Sequence, residues 1–73
     1  MGLRDVLAAN VRRRRRALRM SQEELAHRAE VDRTYISDIE RCVYAASIDV
    51  LEKLGQALDI DPAELLRSSN PVS

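Results

Sequence analysis

Apolar residues recur along this chain at helical spacing, in five stretches separated by short polar connections. In the first, Leu3, Leu7, Val11 and Leu18 form one stripe of a helix running from Leu3 to Leu18. "SQEELAHRA" follows. Ser21 and Glu24 stand at capping-box spacing, which starts a helix at Gln22, and Leu25, Ala26 and Ala29 give it an inner face that ends near Ala29. "EVD" is a tight connection, with Asp32 as the N-cap of a third helix over 33–40. Ile36 and Ile39 point inward from it; Arg33, Thr34, Ser37 and Asp38 point to solvent. "CVYAAS" is a loop, after which Ser47 caps a fourth helix carrying Ile48, Leu51, Leu54 and Leu58. Asp61-Pro62-Ala63-Glu64 opens a fifth, with a cap, Pro at the first helical position and Glu at the third; it carries Leu65 and Leu66. "SSNPVS" reads as a frayed tail, so the expected domain is 1–67 with a flexible C-terminal tail at 68–73.

The second and third stretches are short helices joined by about four residues, the signature of a helix-turn-helix. Composition agrees with an all-α fold. The 73 residues hold two Gly and two Pro, no Phe, no Trp and two Tyr, with 45% apolar residues. The core must therefore be aliphatic, and helices are favoured throughout. A core of this size is marginal, which makes dimerisation a natural source of further burial.

Net charge is zero, which taken alone argues against a nucleic-acid binder, but the charge is segregated. Residues 1–20 hold seven Arg against one Asp; the rest of the chain is acidic on balance. One basic face on a neutral body is an electrostatic footprint. Five of those arginines form the run Arg12–Arg16. Such a run can be a solvated tail, a targeting tag or part of a folded element. Helical geometry decides for the last. At about 100° per residue, with Val11 at zero, Arg14 and Arg15 fall about 60° and 40° to either side of the apolar stripe, while Arg12, Arg13 and Arg16 point away from it. An arginine beside a buried stripe needs a carboxylate partner or room to reach solvent, because an unpaired buried charge costs roughly 3–5 kcal/mol.

Enzyme chemistry finds no support. There is no nucleophile–base pair, no Gly-rich phosphate loop and no cofactor motif, and His27 has no Cys or His at ligand spacing, so no metal site is expected. The one cysteine, Cys42, reads as an inert loop thiol. No membrane span or signal peptide is visible, and a cytoplasmic, nucleoid-associated protein of a bacterium or phage is expected.

"VRRRRRALRMSQEELAHRAEVDRTYISDIER", continued by "SIDVLEKLGQALDIDPAELL", resembles the phage-repressor and Cro-like (XRE) helix-turn-helix family over residues 9–66. In size and layout the chain is similar to the single-domain controller proteins of restriction–modification systems. The resemblance implies a five-helix bundle of the lambda-repressor-like type, with 33–40 as the recognition helix. It implies that Arg15 pairs with Glu40, that Gln22 contacts a DNA phosphate, that Arg33, Thr34, Ser37 and Asp38 face base edges, and that Arg41 and the following loop lie against the DNA backbone. Four positions depart from the family pattern. Glu30 and Cys42 stand where Gly is usual, Ala45-Ala46 where Asn-Pro is usual, and Arg14 where Leu is usual. Positive φ at Glu30 and Cys42 would cost roughly 1 kcal/mol each, so these turns are expected to differ locally. Arg14 is expected to snorkel to the surface.

The side-chain chemistry fits that implication. Arg33 suits guanine, since its fork matches O6 and N7; Asp38 can accept from cytosine N4 or hold Arg33; Thr34 offers a hydroxyl or a methyl. Tyr35 is long enough to reach a phosphate, and Arg12 and Arg19 are candidates for backbone contact. A homodimer on a pseudo-palindromic double-stranded operator is expected, with Val43, Tyr44, Val50, Ala57, Ile60 and Leu66 as its interface. The alternatives are a protein-interaction module of the same fold, of antitoxin or antiactivator type, whose partner is a second protein, and a sequence-blind binder that uses the arginine run.

Overall fold

The first helix starts where Asp5 Oδ2 accepts the Gly2 amide at 3.1 Å, and runs Leu3–Ala17 as α1. Then come α2 (Gln22–Ala29), α3 (Arg33–Glu40), α4 (Ile48–Ala57) and a 3₁₀ segment, Pro62–Leu66. The structure is a computed structural model describing residues 2–68; apart from Ser68, the expected tail at 68–73 lies outside the described residues. The fold is all-helical, but a 3₁₀ turn replaces the expected fifth helix. Its bonds close three residues back, Glu64 N to Asp61 O at 2.8 Å and Arg67 N to Glu64 O at 3.2 Å, as in a 3₁₀ turn. Asp61 Oδ1 does accept the Ala63 amide, at 3.0 Å, as the cap reading expects.

Caps set the helix starts. Ser21 Oγ accepts the Glu24 amide at 2.9 Å and Ser47 Oγ the Val50 amide at 3.2 Å. The reciprocal half of the Ser21–Glu24 box is not made, because the Glu24 carboxylate takes Arg28 at 2.7 Å one turn on. Asp32 begins α3 through its backbone alone: its carbonyl accepts the Tyr35 amide at 3.0 Å, and its side chain makes no cap bond.

All four α-helices end the same way. Arg19, Glu30, Cys42 and Asp59 each adopt left-handed φ, at 58°, 59°, 63° and 55°. In each case this residue's amide and the next one's reach back to the last turn. After α3, Cys42 N donates to Ile39 O at 3.1 Å and Val43 N to Asp38 O at 2.9 Å; after α4, Asp59 N donates to Gln56 O and Ile60 N to Gly55 O. This is the Schellman arrangement. Glu30 and Cys42 therefore keep the left-handed turn without glycine, contrary to the expected local difference.

The core joins Leu7 and Val11 of α1, Leu25 of α2, Ile36 and Ile39 of α3, Leu54 and Leu58 around α4, and Leu65 of the 3₁₀ segment. Each of these side chains contributes about 1.5–3 kcal/mol by leaving water. Three expected core positions are instead on the surface: Leu3 is 65% exposed, Leu18 38% and Ile48 77%. The stripe of α1 is rotated toward Ala8 and Asn10, and the inner face of α4 is Val50, Leu54 and Leu58, an i, i+4, i+8 row.

Asn10 closes the bundle. It is buried, and its amide nitrogen donates to the Leu65 and Arg67 carbonyls, both at 2.8 Å, while its oxygen accepts from Arg13. This clamp ties α1 to the 3₁₀ segment. Gly55 makes the same segment possible from the other side: a Cβ there would lie 2.7 Å from Pro62 Cγ and 2.8 Å from the Ile60 carbonyl.

Candidate nucleic-acid interface

The anchor of α3 is its last residue. Glu40 is 5% exposed. Its Oε2 accepts from Arg15 Nε at 2.7 Å, and its Oε1 accepts from Arg15 Nη2 at 3.0 Å and from Gln22 Nε2 at 3.1 Å. Arg15 also donates from Nη1 to the Met20 carbonyl at 2.9 Å, so one guanidinium joins α1, the α1–α2 turn and α3. Burial pushes the Glu40 carboxyl up. The hydrogen bonds from Arg15 and Gln22, with the charges of Arg15 and Arg12, outweigh that and hold it below the usual carboxylate value. The Arg15 guanidinium is raised, first by the hydrogen bond to Glu40. The pairing of Arg15 with Glu40 is thus present with two-pronged geometry.

Two further arginines of the run turn inward. Arg12 Nη2 donates to the Glu40 carbonyl at 2.8 Å. Arg14 Nε donates to the Leu58 carbonyl at 2.9 Å and its Nη2 to the Asp59 carbonyl at 3.1 Å. Helix geometry turned Arg12 away from the apolar stripe, but α3 crosses on that side. Arg14 does more than reach solvent: it closes the end of α4, where cations are favoured by the helix dipole.

With its inner side fixed, α3 presents its first turn. Arg33 and Thr34 are exposed and pair with no other side chain among the described residues; Ser37 and Asp38 are half-buried beside them. Asp38 faces Arg41, Oδ1 to Nη1 at 3.8 Å, and not Arg33. A groove lined by Ser21, Gln22, Glu23 and Arg33 brings the starts of α2 and α3 together. Gln22 therefore sits where its second amide N–H can meet a phosphate, the first being held by Glu40. Tyr35 packs edge-on against Tyr44, ring centroids 4.9 Å apart. Burial and then the Tyr44 hydroxyl push the Tyr35 phenol up, so it stays protonated. Arg19 and Arg41 are exposed.

The Cys42 Sγ lies 3.3 Å from Asp5 Oδ1. That hydrogen bond and then burial push the thiol up, which lowers its thiolate fraction. Among the expected interface residues, Val43 and Tyr44 are exposed, at 56% and 51%, and Ile48 joins them as a surface residue that the sequence reading placed inside. Val50 belongs to the core, and Ala57, Ile60 and Leu66 are partly buried against it. Val50 is covered because it shares the row of Leu54 and Leu58. No helix among the described residues is long and apolar enough to cross a membrane.

Two residues that close the bundle behind the site gave no signal in the sequence. Asn10 gave no signal, since a mid-helix asparagine looks like any solvated polar residue. Gly55 gave none because its contact partner, Pro62, is visible only in three dimensions.

A short helix held by its C-terminal glutamate and presenting a free first turn, with a second helix packed across it, defines a helix-turn-helix domain. Residues 11–65 match the helix-turn-helix family model HTH_3, and the chain belongs to that family. It is 51% identical over 47 residues to control protein C.BamHI of Bacillus amyloliquefaciens, covering 64% of this chain and 58% of that protein. A hypothetical transcription factor of Neisseria meningitidis is 42% identical over 64 residues, covering 88% of this chain and 60% of that one. The crystal structure of the Neisseria hypothetical transcription factor NHTF superposes with a TM-score of 0.90 at 40% identity, over 93% of this chain and 78% of that chain. That of the restriction–modification controller protein C.AhdI from Aeromonas hydrophila superposes with a TM-score of 0.82 at 37% identity, over 85% and 94%. The chain thus spans less than two thirds of the length of the first two relatives.

Proposed function

We propose that this chain is a sequence-specific DNA-binding transcriptional regulator of the controller type, working in the cytoplasm as a homodimer on a pseudo-palindromic operator with α3 in the major groove. The observation that carries the reading is the pairing of a fixed end with a free one. Glu40 locks the C-terminus of α3 through Arg15 and Gln22, and the first turn leaves Arg33 and Thr34 without partners among the described residues. A recognition helix reads base edges with its N-terminal residues, so it must be rigid behind and unoccupied in front. The names of the relatives, two control proteins and a hypothetical transcription factor, support the same reading.

In this reading Arg33 takes guanine, and Thr34, Ser37 and Asp38 contact neighbouring bases. Gln22, Tyr35, Arg41 and Arg19 meet the backbone. The exposed apolar residues Val43, Tyr44 and Ile48 belong to the dimer surface, which sets two α3 helices about 34 Å apart. The test is selection of bound duplexes from a randomised pool. The reading expects an enriched motif with two half-sites centred one helical turn apart. Enrichment of no motif contradicts it and favours a protein partner for the same apolar surface.

A further inference from the structure

We propose that Arg12 is a positioning residue for α3, acting through the carbonyl of Glu40, and not a ligand of the DNA backbone. This role rests on α3 being the reading helix. The last four carbonyls of an α-helix have no partner within it. At the end of α3 the Schellman turn satisfies three: Ser37 O accepts from Arg41 N at 3.0 Å, Asp38 O from Val43 N at 2.9 Å, and Ile39 O from Cys42 N at 3.1 Å. The carbonyl of Glu40 is the fourth, and Arg12 Nη2 takes it at 2.8 Å. The guanidinium is half-buried there, and its charge also helps hold the Glu40 carboxyl ionised.

A related contact lies just beyond α4, where Arg14 takes the Leu58 and Asp59 carbonyls of the turn that follows it. The arginine run of α1 thus holds three helix ends and turns: Arg12 closes α3, Arg14 ties down the turn after α4, and Arg15 the turn after α1 through Met20 while gripping Glu40. A cation at a helix C-terminus also complements the dipole, so each bond is charge-assisted. Of the three, Arg12 is the one whose bond lies on the backbone of the reading helix. Its loss would free the end of α3 without touching the DNA-facing turn.

Two readouts separate positioning from phosphate contact. A phosphate ligand contributes about 0.9 to the slope of log K against log salt, and its loss weakens all duplexes alike. A positioning residue leaves the slope unchanged and lowers the ratio of operator to scrambled-duplex affinity. For Arg12→Ala an unchanged slope and a roughly tenfold lower ratio are expected on the selected duplex, because misplaced base contacts lose discrimination. A slope reduced by about 0.9 with an unchanged ratio overturns the proposal. Hydrogen exchange of the free protein tests the same claim without DNA. Amides of Arg41, Cys42 and Val43 should exchange about tenfold faster in the variant while those of α2 and α4 keep their protection, by selective opening of one helix end. Unchanged protection at Arg41–Val43 overturns the proposal whatever becomes of the operator. Should the alanine variant fail to fold, Arg12→Lys keeps the charge but loses the reach and the fork. Faster exchange at the same three amides is expected, and wild-type exchange overturns the proposal.

Discussion

Arg15 and Glu40 grip each other through two parallel hydrogen bonds, at 2.7 and 3.0 Å, with Gln22 adding a third to the same carboxylate at 3.1 Å. Removing either partner strands a charge in the interior. Glu40→Ala and Arg15→Ala are each expected to cost roughly 3–5 kcal/mol, measured as a lower urea midpoint. Arg15→Lys should recover only a small part of this, since an ammonium cannot span both carboxylate oxygens and the Met20 carbonyl.

The same pair makes stability depend on pH. The folded carboxyl of Glu40 titrates below its unfolded value, which is about 4.3 for glutamate. Its contribution is therefore complete above that value and is lost as pH falls through the folded pKa. Urea midpoints of the wild type and of Glu40→Gln should lie furthest apart near neutrality and converge in acid. A gap independent of pH would show that the carboxylate charge contributes nothing.

The left-handed residues that end the helices are a reservoir of unused stability. Glu30 and Asp59 are exposed and hold φ of 59° and 55°, a region that costs a non-glycine residue about 1–2 kcal/mol. After the extra chain entropy of glycine is set against this, Glu30→Gly and Asp59→Gly should each raise stability by about 0.5–1 kcal/mol. For a domain of this size that is a few degrees in Tm, readable by calorimetry.

Asn10 and Gly55 should both prove intolerant. Asn10→Ala leaves the Leu65 and Arg67 carbonyls without their donor and should cost about 1–3 kcal/mol. Gly55→Ala forces a methyl group to 2.7 Å from Pro62, and displacement of the 3₁₀ segment should cost a similar amount. Thermal unfolding of the two variants checks both.

Most of the architecture could be read from the chain because its punctuation is local. Ser21, Ser47 and Asp61 mark helix starts by bonds within three residues, and the structure starts its elements where they stand. Helix geometry showed that Arg15, beside an apolar stripe, demands a partner, and the resemblance to the family named Glu40 as that partner. What stayed hidden depends on how helices are phased against one another. Ile48 and Val50 are both apolar and two residues apart, and only the approach of the other helices decides that Val50 is covered and Ile48 left out. Arg12 likewise turns away from its own helix's stripe, yet α3 lies on that side and receives it. Glu30 and Cys42 suggested altered turns by their identity, whereas the hydrogen bonds that close each helix end hold the usual conformation.

If the first turn of α3 reads bases, Arg33 is the residue whose loss must show it. Wild-type and Arg33→Ala proteins would be titrated by fluorescence anisotropy against the selected duplex and a scrambled one, at several salt concentrations. The account expects Arg33→Ala to lose roughly 1–3 kcal/mol of discrimination, about 5- to 150-fold, with scrambled-duplex binding nearly unchanged. Discrimination equal to the wild type would contradict it and place the reading surface elsewhere on the domain.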